Sequence, residues 1–192
     1  MQAAKAAHCR TKRRRGILRA QSTIDGTRDT MATYLFAWNP ALWAWPELPA
    51  DIRRLGRRGH VDTEWSAGRT RNIEIGSRAF LVRVGVPPKG IFGAGFTLSE
   101  PAPAPHWRPE KAAVGATTQY LSLRLDSLHP LPPVTYDDLA QPPFRRFRWG
   151  VRASGVHVPS TLADALEDLW EARLAAAVKG GRAGSRRRVR RD

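Results

Sequence analysis

Cysteine is almost missing from this chain of 192 residues, Cys9 being the only one. That excludes a disulfide framework, a four-cysteine zinc ribbon and an iron–sulfur site, and it suits a reducing compartment. Long apolar runs are missing as well. No stretch approaches the roughly eighteen apolar residues a membrane span requires, so the expectation is a soluble, cytoplasmic protein with no membrane partner. Acidic residues are scarce at both ends. Lys plus Arg number 32 against 17 Asp plus Glu, a formal charge of +15. Residues 1–30 hold eight basic and two acidic side chains, and residues 179–192 hold seven and one, so the body is close to balanced. Tails of this kind add salt-sensitive affinity for phosphates without choosing a sequence.

The expected organisation is a basic, disordered leader over 1–30, one domain over 31–178 and a basic, disordered tail over 179–192. The leader is Arg-rich and acid-poor but has no apolar signal core, and Met31 stands directly before a strand-like run, which makes Met31 the expected native start. Thr33–Asn39 is rich in β-formers and stops at Pro40. A helix is expected over Pro49–Leu55, closing near Gly56 or Gly59, with Arg53, Arg54, Arg57 and Arg58 on its outer face. Ala79–Gly85 reads as a strand with an antiparallel partner at Gly90–Thr97, joined through Pro87-Pro88-Lys89-Gly90. Thr118–Leu128 alternates apolar Tyr120, Leu121, Leu123, Leu125 and Leu128 with Ser122, Arg124 and Asp126, a strand with one wet face. The prolines of Pro101-Ala102-Pro103-Ala104-Pro105 favour an extended surface loop. Leu162, Leu166, Leu169, Trp170 and Leu174 form a helical stripe, opened by a capping-box-like Thr161/Asp164 pair and ended by Gly180-Gly181. Strands in the middle and helices at the edges indicate an α+β domain on a curved sheet or partial barrel.

No catalytic constellation emerges. His8, His60, His106, His129 and His157 are scattered singly, without a metal-ligand spacing, so no metal and no cofactor is expected. Asp137-Asp138 and Asp164, Glu167, Asp168 and Glu171 read as caps and solvated faces. The glycines of Gly90–Gly95 sit inside a strand and do not lead into a helix, unlike a phosphate loop. What stands out is tryptophan, present seven times. Trp170 belongs to the last helix, and Trp43 and Trp45 read as cover for one end of a sheet. Trp65 lies amid Ser66, Ala67, Gly68, Arg69, Thr70 and Arg71 on an expected loop. Large aromatics beside hydrogen-bonding groups on a loop point to a ligand, and a planar base fits.

The order of Tyr34-Leu35-Phe36-Ala37-Trp38-Asn39-Pro40, Trp65-Ser66-Ala67-Gly68, Asn72-Ile73-Glu74-Ile75-Gly76-Ser77-Arg78-Ala79-Phe80-Leu81, Gly90-Ile91, His106-Trp107, Ser154–Pro159 and Leu166–Trp170 resembles an EVE domain of the PUA superfamily. It is most similar to the amino-terminal module of modification-dependent HNH restriction endonucleases, over roughly residues 32–172. The resemblance implies a PUA-like mixed β-barrel flanked by helices, with an aromatic pocket for a flipped, modified base. It assigns that pocket to Trp65 as one wall, with Trp38, Asn39, Ser66 and Gly68, and Trp107 and Trp149 as candidates for a second wall. Arg69, Arg71, Arg53 and Arg57 are the expected contacts to the nucleic-acid backbone. The chain departs from the family pattern at Ala67, often Cys, and at Gly150-Val151-Arg152.

The residues that would make an HNH nuclease are not found in these 192. The expectation is therefore a non-enzymatic reader of modified DNA in a restriction or defence system, with a separate nuclease subunit as a partner. A nuclease component without its catalytic domain, an RNA-binding PUA-like module and a protein-interaction domain are the alternatives.

Overall fold

A computed structural model describes the backbone of residues 31–188 and the side chains as far as Lys179. The expected leader and the last four residues of the expected tail lie outside the described residues. Eight strands form one sheet: β1 Thr33–Trp38, β2 Val61–Gly68, β3 Arg78–Arg83, β4 Gly90–Thr97, β5 Ala102–Pro105, β6 Thr117–Leu128, β7 Val134–Thr135 and β8 Val156–Val158. The helices are α1 Leu48–Arg58, α2 Pro109–Ala112, α3 Tyr136–Leu139 and α4 Ser160–Arg188, with a 3-10 turn at Phe144–Arg146. The strand order is β2-β6-β4-β3-β1-β8, with β5 beside β6 and β7 beside β4, and the sheet curls strongly into a half-barrel flanked by helices. Only β1 and β3 run parallel, Leu35 opposite Phe80 and Ala37 opposite Val82. The α+β reading of the sequence is correct.

Both faces of the sheet are covered, which explains the unbroken apolar run of β3. Ala79 and Leu81 point to one core with Phe36, Trp38, Phe92, Leu123 and Leu125, closed by Leu48, Ile52 and Leu55 of α1. Phe80 and Val82 point to the other, with Leu35, Ile91, Val134, Phe144, Leu166 and Trp170 beneath α3 and α4. The period-two alternation thus sorts neighbouring residues into two separate interiors. Arg78 ties α4 to the sheet. Its guanidinium donates to Glu167 through Nε (2.9 Å) and Nη2 (2.7 Å) and to Asp126 (2.9 Å), and it lies over the Phe80 and Phe96 rings.

Several boundaries differ from those expected. The helix α1 passes through Gly56 and stops at Gly59, whose left-handed φ of 76° lets its amide reach the Leu55 carbonyl. The proline-rich segment is an edge strand, not a loop, with Ala102 to Pro105 paired to Tyr120 to Thr117. Its prolines alternate, so the residues lacking an N–H share the outward side while Ala102 and Ala104 face β6. The helix α4 begins at Ser160 and its backbone continues through Gly180-Gly181 to Arg188. A glycine costs a helix about 1 kcal/mol relative to alanine, which weakens the helix without ending it. The capping box belongs to α3 instead. The Thr135 hydroxyl accepts from the Asp138 amide, and the Asp138 carboxylate accepts from the Thr135 amide.

A sheet that ends at β2 on one side and at β8 on the other leaves a seam, and residues 153–155 lace it. The Gly155 amide donates to the Leu35 carbonyl (2.9 Å), and the Ala37 amide donates to Ser154 Oγ (3.0 Å). On the far side Thr70 Oγ1 donates to the Gly155 carbonyl (3.0 Å). Gly155 has φ 75°, and a Cβ there would lie 2.7 Å from the Ala67 carbonyl oxygen. Gly155→Ala is expected to lower the unfolding free energy by about 2 kcal/mol through strain and displacement of this bridge, read as an earlier midpoint in urea titration. A midpoint equal to that of the parent contradicts the role given to the bridge.

Burial opposes ionisation of Asp138, but the Thr135 amide and hydroxyl and the Arg173 guanidinium outweigh it and hold the carboxyl below its ordinary range. A carboxylate depressed in the folded state adds stability that is complete above its unfolded value and is lost as pH falls through the folded one. Unfolding free energy measured from pH 6 down to pH 3 is expected to fall less steeply in Asp138→Asn than in the parent.

Candidate functional site

The seam is laced only along part of its length, and beside the bridge it opens into a cleft of about 1260 Å³. Ligand pockets of small-molecule sites run to roughly 300–1,000 Å³, so this is a groove with room for more than one small group. Its walls come from the end of β1 and the following turn (Ala37 to Trp43), from β2 (Glu64, Trp65, Ser66, Gly68), from His106-Trp107-Arg108 after β5, and from Gly150 to Ser154.

Trp38, Trp43, Trp45 and Trp65 form a single aromatic cluster. Trp65 is not on a loop. It lies within β2 opposite Leu121 and is 4% exposed, because the alternation of β2 turns it toward the interior. Trp38 is also buried, and its Nε1 donates to the Trp43 carbonyl (3.0 Å). Trp45 donates to the buried carboxylate of Asp51 (3.1 Å), which also pairs with Arg54. Trp43 is the member that reaches solvent, 44% exposed, stacked on Trp45 (5.9 Å, 20°) and edge-on to Trp65 (5.4 Å, 80°). The indole presented to the cleft is therefore Trp43, with Trp65 behind it as support. Trp107 is 40% exposed, stacked on His106 (5.5 Å) with the Arg108 guanidinium over its face (4.8 Å).

Trp149 does not line the cleft. It is buried in the second core against Phe144 and Phe147, and its Nε1 donates to the Phe144 carbonyl (2.9 Å). The neighbouring Gly150, Val151 and Arg152 line the cleft in its place. Arg53, Arg57 and Arg71 are exposed, but they do not line it. Arg69 does.

The polar wall has a fixed hydrogen-bond direction. Thr118 Oγ1 donates its one proton to the Gly68 carbonyl (2.8 Å), so Ser66 Oγ must donate to Thr118 (3.1 Å). Ser66 also accepts from the Gly68 amide (3.1 Å), which leaves it a lone pair to offer a ligand and no proton. A bulge between Ser66 and Gly68 makes this arrangement possible. Gly68 there has φ 64° and sits against the Ser154 carbonyl, so a side chain at this position is excluded. Asn39 is anchored by its Oδ1, which accepts from the Ala41 amide (3.1 Å).

Burial, then the nearby cations Lys111 and Arg108, push the His106 imidazole below its ordinary range. Its Nδ1 accepts from the Arg108 amide (3.0 Å), so the neutral ring carries its proton on Nε2. Burial and the Glu64 carboxylate raise the Tyr120 hydroxyl, which stays protonated at neutral pH and can donate. Five basic side chains line the cleft, Arg69, Lys89, Arg108, Lys111 and Arg152, against one carboxylate, Glu64. Among the described residues no group of three His, Cys, Asp or Glu is placed to hold a metal ion.

Of the residues expected from sequence, Trp38, Asn39, Trp65, Ser66, Gly68, Trp107 and Arg69 converge on one cleft. Trp43, Glu64, Thr118, Tyr120 and Ser154 were not expected there. For Trp43 the signal was a tryptophan beside Leu42 in a turn. For Thr118 and Tyr120 it was their shared parity on β6, opposite to that of Leu121, Leu123 and Leu125, although Tyr120 reads as apolar in the sequence.

No family model matches the chain, and no curated protein does. Among solved structures it is similar to a hypothetical protein from Leishmania major, with 11% identity and a TM-score of 0.48 over 74% of this chain and 97% of the other. It is also similar to a protein from Pseudomonas syringae, with 16% identity and a TM-score of 0.47 over 72% and 99%, and to one from Pseudomonas putida, with 16% and 0.46 over 72% and 99%.

Trp65→Ala is expected to destabilise the fold by about 3–5 kcal/mol, the range for removing a buried large aromatic, and Trp43→Ala by about 1 kcal/mol. Urea titration of the two variants checks the order. Equal losses would mean that Trp43 carries as much of the interior as Trp65.

Proposed function

We propose that this chain is a nucleic-acid-binding module that accepts a flipped, modified base in the cleft at the seam. We further propose that it serves as the specificity part of a restriction or defence system, the setting that the resemblance to EVE domains implies. One observation carries the binding proposal: a single opening combines exposed indoles (Trp43, Trp107), a polar wall offering a lone pair at Ser66, and an excess of cations. Flat aromatic faces suit a heterocycle, the polar wall reads its edge, and the cations suit the phosphates on either side of it.

Energy favours that division of labour. Extruding a base costs a few kcal/mol, and stacking on an indole returns about 1–3 kcal/mol. The two nearly cancel, so affinity must come largely from phosphate contacts while the cleft supplies the choice. The size of the cleft allows a substituent on the base. Cutting is assigned to a separate nuclease subunit, so the purified chain with modified plasmid and a divalent metal is expected to leave the DNA intact.

Fluorescence anisotropy with oligonucleotides that differ by one methyl or hydroxymethyl group on a single base tests the reading. The parent is expected to prefer the modified strand. Trp43→Ala and Trp107→Ala should each weaken that complex about 5- to 150-fold, the equivalent of losing one stacking contact, and leave salt-sensitive binding to plain DNA. Equal affinity of the parent for both strands at moderate salt overturns the proposal. Stronger competition by structured RNA than by modified DNA would move the module to RNA.

A further inference from the structure

The arginines of the described residues fall into two groups. Arg54, Arg78, Arg124 and Arg173 are each engaged with carboxylates: Asp51; Asp126 and Glu167; Asp62; and Asp138. Arg53, Arg57, Arg58, Arg69, Arg71, Arg83, Arg108, Arg145, Arg146, Arg148 and Arg152 form no ion pair among the described residues, and the last four are exposed and close together in the chain. The stretch that holds these four has no acid nearby in sequence, since no Asp or Glu occurs from Leu139 to Ala163. The side of the cleft built from Gly150 to Ser154 belongs to that acid-free stretch.

The turn carrying these side chains is held firmly. Phe144 and Trp149 are sunk in the second core. The Trp149 indole donates to the Phe144 carbonyl (2.9 Å), the Phe147 amide donates to the same carbonyl (3.0 Å), and the Tyr136 hydroxyl donates to the Trp149 carbonyl (3.1 Å). The apolar residues anchor inward, which obliges Arg145, Arg146 and Arg148 to project outward from a fixed base. Arg148 and Arg152 are four residues apart, so their backbones lie at most about 14 Å from each other. A stacked nucleic-acid strand places a phosphate about every 3.4 Å, so that span covers at most about four phosphate spacings.

We infer that this turn, Arg145, Arg146 and Arg148 continued by Arg152 at the cleft, is the surface that holds the phosphate backbone beside the bound base, in place of the outer face of α1. The inference rests on the reading of the cleft as a nucleic-acid site. The α1 arginines make the poorer track, because Arg54 is engaged with Asp51 and the helix is not continuous with a cleft wall. Arg145, Arg146 and Arg148, themselves outside the lining, lead through Trp149 directly into the Gly150 to Ser154 wall. A guanidinium also suits phosphate oxygens better than an ammonium, through its paired donors.

The test uses the full chain and a plain single-stranded 20-mer, with affinity measured from about 50 to 300 mM salt. Neutralising the turn (Arg145→Gln, Arg146→Gln, Arg148→Gln) is expected to weaken binding at least 10-fold at the lowest salt. It should also reduce the slope of log affinity against log salt by about two units, at about 0.7 per lost contact. The Arg145→Lys, Arg146→Lys, Arg148→Lys variant should restore most of the slope, which separates charge from a folding defect. The Arg53→Gln, Arg57→Gln, Arg58→Gln variant should change it by less than half a unit. An unchanged slope in the neutralised turn, or an equal loss in the α1 variant, overturns the inference. The preference for a modified strand reports separately on the base-reading proposal. That ratio survives turn neutralisation if the cleft reads the base, and it is near one in every protein if it does not, whatever the slopes show.

Discussion

The molecule depends on how a curled sheet is closed. Strand pairing stops at β2 on one side and β8 on the other, and direct backbone pairing does not cross the gap between β1 and β2. Ser154 and Gly155 cross it: the Gly155 amide donates to β1, the Ser154 hydroxyl accepts from β1, and the Gly155 carbonyl accepts from Thr70 beyond β2. A continuous strand there would have sealed the barrel and filled the opening with backbone. A short bridge closes one part of the seam and leaves the rest as the cleft, so the same feature accounts for the integrity of the fold and for the cleft.

Tryptophan serves two ends around that opening. In the aromatic cluster Trp38, Trp45 and Trp65 are buried, and the indole N–H groups of Trp38 and Trp45 have partners. They form a stiff wall, and the outermost indole, Trp43, rests on it in contact with both Trp45 and Trp65. An exposed aromatic on a mobile loop would lose conformational freedom on binding. One stacked on a packed wall has already lost it, which favours recognition of a flat ligand.

Charge follows a similar division. The sheet and α4 use arginines as structural ties, above all Arg78, whose guanidinium spans Asp126 and Glu167 across two elements. The cleft and the turn before it carry arginines and lysines with hardly an acid among them. The near-balanced count of the body conceals this segregation, because structural arginines are paired with carboxylates while the cleft is lined by a single one, Glu64, and the turn before it by none.

How much of this was legible without coordinates differs from element to element. The β3–β4 hairpin, the Thr117–Leu128 strand and the apolar stripe of α4 follow from period-two and helical patterns, since burial on one or two faces writes itself directly into alternation. Trp65, Ser66 and Gly68 could be nominated from their neighbours, but not the part each takes. Whether β2 turns Trp65 inward depends on its register with β6, and that register is a long-range property. Trp149 lies in the second core rather than in the cleft because Phe144 and Phe147 are interspersed with arginines along its turn and packed with it against Val134, Leu166 and Trp170, on elements distant in the chain. By itself, then, the sequence determined the class of fold, the strands and the excess of aromatics and cations, all of which depend on local periodicity and composition. Only the tertiary structure decided which indole faces solvent, which arginines are left without carboxylates and where the sheet fails to close, because each depends on which distant residues meet across the seam.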